Sequence, residues 1–235
     1  MSLIITVYTN EGIVMASDSR LCLTTTNNYS DGRSVRNIGA HCTDTTYKTF
    51  KASSRIGLSA CGESTINEMP LSSYIMKFIA EKAAETDTVE NMTNKLLGYF
   101  RALSPSIDTH FIVAGYDKGE LTPKVRRLSV KSGKVEIVNA KTPGATFNGE
   151  VNTLCRLLFP VAQKHGSSYS DLKHDEIGFS YFTLQDAIDF AEYAVDVTIK
   201  TMQFAKTAKT VGGPIDILAI RPDGAFWIRH RELHA

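Results

Sequence analysis

Strand and helix signals in this chain come in groups instead of alternating one by one, and that order is the tightest constraint on its fold. The chain opens with two apolar, β-branched runs, Leu3 to Thr9 and Ile13 to Ala16, split by Asn10-Glu11-Gly12. Glycine at the third position suits a tight turn, so the segment reads as a hairpin. A second hairpin follows, Tyr47 to Ala52 and Arg55 to Cys61 around Ser53-Ser54. Apolar residues then recur at helical spacing over Asn67 to Glu85 and Val89 to Arg101. Strands return at His110–Tyr116, Lys124–Leu128, Val135–Val138 and around Ala145, punctuated by glycines. Two more helices are expected at Glu150 to His165 and Leu184 to Phe204, with Ser167 to Ser180 as a connecting loop. Pro222-Asp223-Gly224 turns the last hairpin, Pro214–Ile220 and Ala225–Arg229. The order ββ–ββ–αα–ββββ–αα–ββ contains no βαβ unit. The sheets are therefore expected to be mainly antiparallel, with helices covering their faces.

Composition narrows the function classes. Forty-three per cent of the 235 residues are apolar, which excludes a disordered chain. Twenty-six basic residues face 25 acidic ones, a net charge of +1, which gives no electrostatic footprint for nucleic acid. No run approaches the roughly 18 apolar residues that span a bilayer, and residues 1–6 lack the basic and apolar stretches of a signal peptide. A cytoplasmic protein without membrane partners is expected. Cys22, Cys42, Cys61 and Cys155 form no C-x-x-C pair and have no histidine at zinc-ligand spacing. They read as reduced, mostly buried thiols, and neither a metal nor an organic cofactor is expected. No composition break divides residues 1–235, so one domain is expected. Residues 21–46 are rich in Thr, Asn, Ser, Asp and Gly, show no periodicity and read as a long surface loop.

Phosphate-loop, nucleophile-elbow and zinc-protease motifs are absent. What remains is Ser2, one residue after Met1. Methionine removal would give it a free α-amine beside its hydroxyl. Such an amine has a pKa of about 7.7–8.0, so one residue can supply both nucleophile and base.

Ser2-Leu3-Ile4-Ile5-Thr6-Val7, followed by Glu11-Gly12-Ile13-Val14-Met15-Ala16-Ser17-Asp18-Ser19-Arg20, resembles the start of a mature proteasome β-type subunit of the N-terminal nucleophile (Ntn) hydrolases. In that register Ser2 falls on the family's nucleophile and Asp18 on its hairpin aspartate. Tyr47-Lys48-Thr49-Phe50 with Ile56-Gly57-Leu58-Ser59-Ala60-Cys61-Gly62 is similar to the family's second hairpin and puts Lys48 at its catalytic lysine. Val211-Gly212-Gly213 with Pro222-Asp223-Gly224 resembles its closing hairpin.

The resemblance implies an α+β fold, a four-layer αββα sandwich of two antiparallel sheets flanked by helix pairs, with 21–46 as an insertion. It implies a peptidase or amide hydrolase. Ser2 attacks the carbonyl and its amine, steered by a Lys48–Asp18 pair from adjacent strands, carries the proton. The Gly62 N–H, at the head of the first helix, holds the oxyanion. Asn148, Thr210 and Gly212 are the supporting positions. Ala208 and Val211 stand where the family has Asp and Ser, and a Ser nucleophile lacks the β-methyl of Thr. A homo-oligomer, a ring or another multimer, is implied, and an ATPase partner is left open. Two other readings stay open: a catalytically inactive assembly subunit and a small-molecule amidase or acylase.

Overall fold

A computed structural model describes residues 2–232, without the side chains at positions 24–26, 36, 38 and 40. Met1 and His234 lie outside the described residues. The first sheet is built from β1 (Leu3–Tyr8), β2 (Ile13–Ser17), β12 (Gly144–Gly149), β15 (Asp216–Arg221) and β16 (Gly224–Arg229), in the order β12-β1-β2-β15-β16. The second has the order β11-β10-β9-β6-β5, from β5 (Thr49–Lys51), β6 (Ile56–Gly62), β9 (Thr109–Gly115), β10 (Lys124–Ser129) and β11 (Val135–Val138). Every pairing in both sheets is antiparallel.

Strand β1 shows why the apolar opening run matters. All six of its residues are buried. A strand alternates its side chains between faces. Leu3, Ile5 and Val7 pack with Ala187, Ala191 and Val195 of helix α4 (Leu184–Phe204). Ile4 and Tyr8 turn the other way and join Ile112 and Ala114 of the second sheet and Tyr116 just beyond β9. A third cluster covers the far side of the second sheet. Ile75 and Phe78 of α1 (Leu71–Lys82) and Met92, Leu96 and Phe100 of α2 (Val89–Leu103) meet Leu58, Phe111 and Val113 there.

The four-layer αββα sandwich with helix pairs on both outer faces is corrected. The strands fall into five sheets, two of five strands and three of two, and four α-helices are described. The pair expected over the first sheet is one 21-residue helix, α4, beside a seven-residue α3 (Asn152–Leu158). The helix expected from Glu150 to His165 stops because Pro160 drives Phe159 into extended backbone. A small hairpin follows, β13 (Ala162–His165) where the helix was expected to end and β14 (Ser168–Asp171) where the loop was expected to begin.

Two other expectations change. Residues 21–46 form a hairpin, β3 (Leu21–Asn28) and β4 (Ser34–Thr43), turning near Gly32 at φ 81°. Its described side chains are largely exposed, so it carries no apolar alternation to betray it. Cys22 and Cys42 face each other across this ladder and are disulfide-bonded, not reduced. Helix α1 begins at Leu71 rather than near Asn67, because β7 (Thr65–Ile66) and β8 (Met69–Pro70) form a two-residue hairpin first. Its turn residues, Asn67 and Glu68, both adopt positive φ, which suits the twist of a tight hairpin. Without a glycine, the sequence gives no sign of it.

Candidate active site

Asp18 follows the end of β2 and is fully buried. Its carboxylate is saturated by donors. Oδ1 accepts from the Leu3 N–H at 3.0 Å and from Lys48 Nζ at 2.8 Å. Oδ2 accepts from the Arg20 N–H at 3.2 Å and the Gly212 N–H at 3.0 Å. A buried carboxylate loses its hydration and is retained only when such partners replace it. Lys48 is 4% exposed and donates a second bond, at 2.7 Å, to the Arg20 carbonyl. Burial pulls its ammonium below the usual lysine range, against the opposing pull of Asp18. The expected adjacency of strands is corrected: Asp18 extends β2 in the first sheet, whereas Lys48 leads into β5 at the edge of the second. The pair joins the two sheets.

Ser2 is 4% exposed and precedes β1. Its carbonyl accepts the Glu150 N–H at 2.8 Å. Gly149, at φ 100°, lies so close that a Cβ there would collide with the Ser2 carbonyl oxygen. Ser2, Lys48 and Gly62 line one small cavity of about 20 Å³, room for about one water. Tyr47, Ala60 and Leu71 are among its apolar walls.

Gly62 ends β6 at φ 107°. Hydrogen-bonding residues alternate along an antiparallel strand. The Ala60 N–H bonds to the Lys48 carbonyl on the β5 side, so the Gly62 N–H, two residues on, points to that same side. There β5 does not reach, and Gly62 lines the cavity. Its expected place at the head of the first helix is corrected, since β7 and β8 intervene before Leu71. The chain nevertheless returns, and Leu71 and Ser72 of the first turn of α1 also line the cavity.

The supporting positions are placed unevenly. Gly212 bonds to Asp18, as above. The Asn148 carboxamide oxygen accepts the Gly149 N–H at 2.7 Å, and Asn148 is not among the cavity residues. Thr210 is 1% exposed and its hydroxyl has no hydrogen-bond partner among the described residues.

Three neighbours were not singled out from the sequence. The buried Cys61 shares the cavity, and burial pushes its thiol up to about 12 while Lys48 opposes the shift. Asp44 holds the Arg20 guanidinium through two bonds of 2.7 Å. Arg231 donates to the Asp44 and Thr46 carbonyls and pairs with buried Asp216 at 2.7 Å. Only the tertiary fold brings Asp44 and Arg231 here, and no local motif marks either. Among the described residues no group of three or more His, Cys, Asp or Glu side chains could hold a metal. No helix among them is long and apolar enough to cross a membrane.

No family model and no curated protein matches the chain. Solved structures do match it. One of them, the Anbu (Gly-1) mutant from Hyphomicrobium sp. strain MC1, is similar at a TM-score of 0.58 and 17% identity, over 97% of this chain and 85% of that one. At that identity the likeness carries the fold alone. Together with the motifs it supports a proteasome-like fold.

Proposed function

We propose that this chain is a proteasome-like hydrolase of peptide or other amide bonds, with Ser2 as its nucleophile once the residues before it are removed. The observation that carries the reading is the convergence of Ser2, Lys48 and Gly62 on one cavity, with Asp18 buried behind it. In this reading the freed α-amine takes the proton from the Ser2 hydroxyl as Oγ attacks the carbonyl carbon. The same amine then delivers the proton to the leaving amine, giving an ester on Ser2, which water hydrolyses. Lys48, fixed by Asp18 and the Arg20 carbonyl, holds positive charge against the reacting groups. The Gly62 N–H stabilises the oxyanion, an interaction worth about 2.7–4 kcal/mol where it has been measured. The reading includes assembly with further copies, which the resemblance to the proteasome family implies.

A second reading, an inactive assembly subunit of the same fold, is favoured by one observation. Asn148 is engaged with its own neighbour, and Ala208 and Val211 offer no polar side chain. Intact-mass spectrometry with a peptidyl epoxyketone separates the two, because that reagent needs a hydroxyl and an α-amine on one residue. The hydrolase reading expects a chain beginning at Ser2 and one adduct that is lost in Ser2→Ala. A mature chain beginning at Ser2 that forms no adduct would favour the assembly subunit.

A further inference from the structure

The hairpin of residues 21–43 rises between the two segments that carry the charged pair of the candidate site. One strand begins just after Asp18 and Arg20, and the other ends just before Asp44 and Lys48. Cys22 and Cys42 are directly opposite in its register. Arg20 and Asp44 stand two residues back on either side, just beyond the strand ends, and pair there. The covalent rung and the Arg20–Asp44 ion pair, whose two bonds are both 2.7 Å, thus close the hairpin base two residues apart.

Both rungs rest on one segment. Arg20 Nη1 donates to the Lys209 carbonyl at 3.3 Å, and Cys22 Sγ lies 3.7 Å from the same oxygen. Three residues further on, the Gly212 N–H donates to Asp18. The Arg20 backbone also bonds to both partners, its N–H to Asp18 and its carbonyl to Lys48. Cys42 is exposed and Cys22 half-buried, so the bond is open to an external thiol, and accessible disulfides are the exchangeable ones.

We propose that Cys22–Cys42 is a thiol–disulfide modification site, exchanged by a small dithiol or a dithiol protein, whose oxidised form braces the Asp18–Lys48 pair. The regulatory part rests on the hydrolase reading above. In the exchange, a thiolate of the dithiol attacks Cys42 Sγ, the S–S bond breaks, and the electron pair leaves on Cys22 Sγ, which takes a proton. The second thiol of the reagent displaces Cys42 from the mixed disulfide and closes its own disulfide. Two electrons and two protons pass to the protein. Reduction removes the covalent rung and leaves the hairpin base to the partly exposed Arg20–Asp44 pair and its hydrogen bonds.

The test uses the full chain, oxidised and after treatment with dithiothreitol, and a Cys22→Ser/Cys42→Ser variant. Peptide-resolved hydrogen exchange is expected to rise on reduction at residues 18–22 and 42–50 and to stay unchanged in β9 and β10. Epoxyketone labelling of Ser2 is expected to slow by about tenfold, within the usual range for coupled sites. The variant should match the reduced protein and ignore dithiothreitol, which excludes effects through Cys61 and Cys155. Should the variant fail to fold, the reduced wild-type protein decides. Equal exchange at residues 18–22 and 42–50 in both redox states would overturn the proposal, as would free thiols at Cys22 and Cys42 in protein never exposed to reductant. If Ser2 labels in neither state, the hydrolase reading fails, and the exchange data alone decide the brace.

Discussion

Lys48 Nζ sits 2.8 Å from Asp18 Oδ1, and the two residues flank strands of different sheets. The pair is buried on both sides, with side chains 5% and 0% exposed, so neither charge can fall back on water. Removing one partner strands the other. The two sides are unequal, because Asp18 keeps three backbone N–H donors without Lys48.

Asp18→Asn is therefore expected to be the more damaging change. It leaves the ammonium unpaired and turns an amide N–H toward a backbone donor. A loss of about 3–5 kcal/mol is expected, as for broken buried pairs. Lys48→Met should cost clearly less. Urea unfolding of both variants measures the difference, and a larger loss for Lys48→Met would contradict the account.

Gly149→Ala tests the packing that seats Ser2. Its φ of 100° strains any other residue, and the added methyl meets the Ser2 carbonyl oxygen. Gly119 has a similar φ of 80° but open space around it. Backbone strain alone costs about 1–3 kcal/mol. Gly119→Ala should stay within that range, and Gly149→Ala should exceed it and also reduce epoxyketone labelling of Ser2. Equal melting temperatures for the two would show that the contact does not matter.

Native cysteine chemistry follows from burial. Cys61 is 3% exposed with its thiol pushed up to about 12, so almost no thiolate exists at pH 8. Cys155 is half-buried, and Cys22 and Cys42 are tied to each other. Iodoacetamide at pH 8 should label Cys155 first and leave Cys61 unmodified until denaturant is added. Peptide mapping checks the order.

Strong acid should loosen the base of the long hairpin. The hydrogen bonds from Arg20 hold the Asp44 carboxyl below the usual carboxylate range, with burial opposing. A lowered folded pKa means that the stabilisation is fully present above the ordinary value of about 3.9 and is lost as pH falls through the lower, folded value. The protection of amides 42–46, taken relative to the intrinsic exchange rate at each pH, should therefore be flat from neutrality down to pH ~4 and fall below it. Asp44→Asn should show no such acid transition.

Patterns that repeat over short distances are legible in the chain itself. The opening hairpin, β9 to β12, α2, α4 and the closing hairpin lie within a few residues of where apolar period and turn residues put them. In each, burial on one or both faces writes itself into consecutive residues. The motif register likewise led to Ser2, Lys48 and Gly62, which the structure brings to one cavity.

What escaped the sequence has physical causes of two kinds. Elements without an apolar face leave no period: the exposed β3–β4 hairpin read as a loop, and the Asn67-Glu68 turn hid behind a helical pattern. Contacts made across the fold leave no local trace either. Nothing in the spacing of Asp18 and Lys48 says that they bridge two sheets, that Asp44 and Arg231 converge beside them, or that Asn148 turns to its own neighbour. The sequence determined the strands of the two large sheets, the main helices and the residue types available for chemistry, because local propensity and burial act on neighbours. The layering, the disulfide and the wiring of the charged pair were decided only when distant segments met, because those energies depend on distances that the chain does not encode locally.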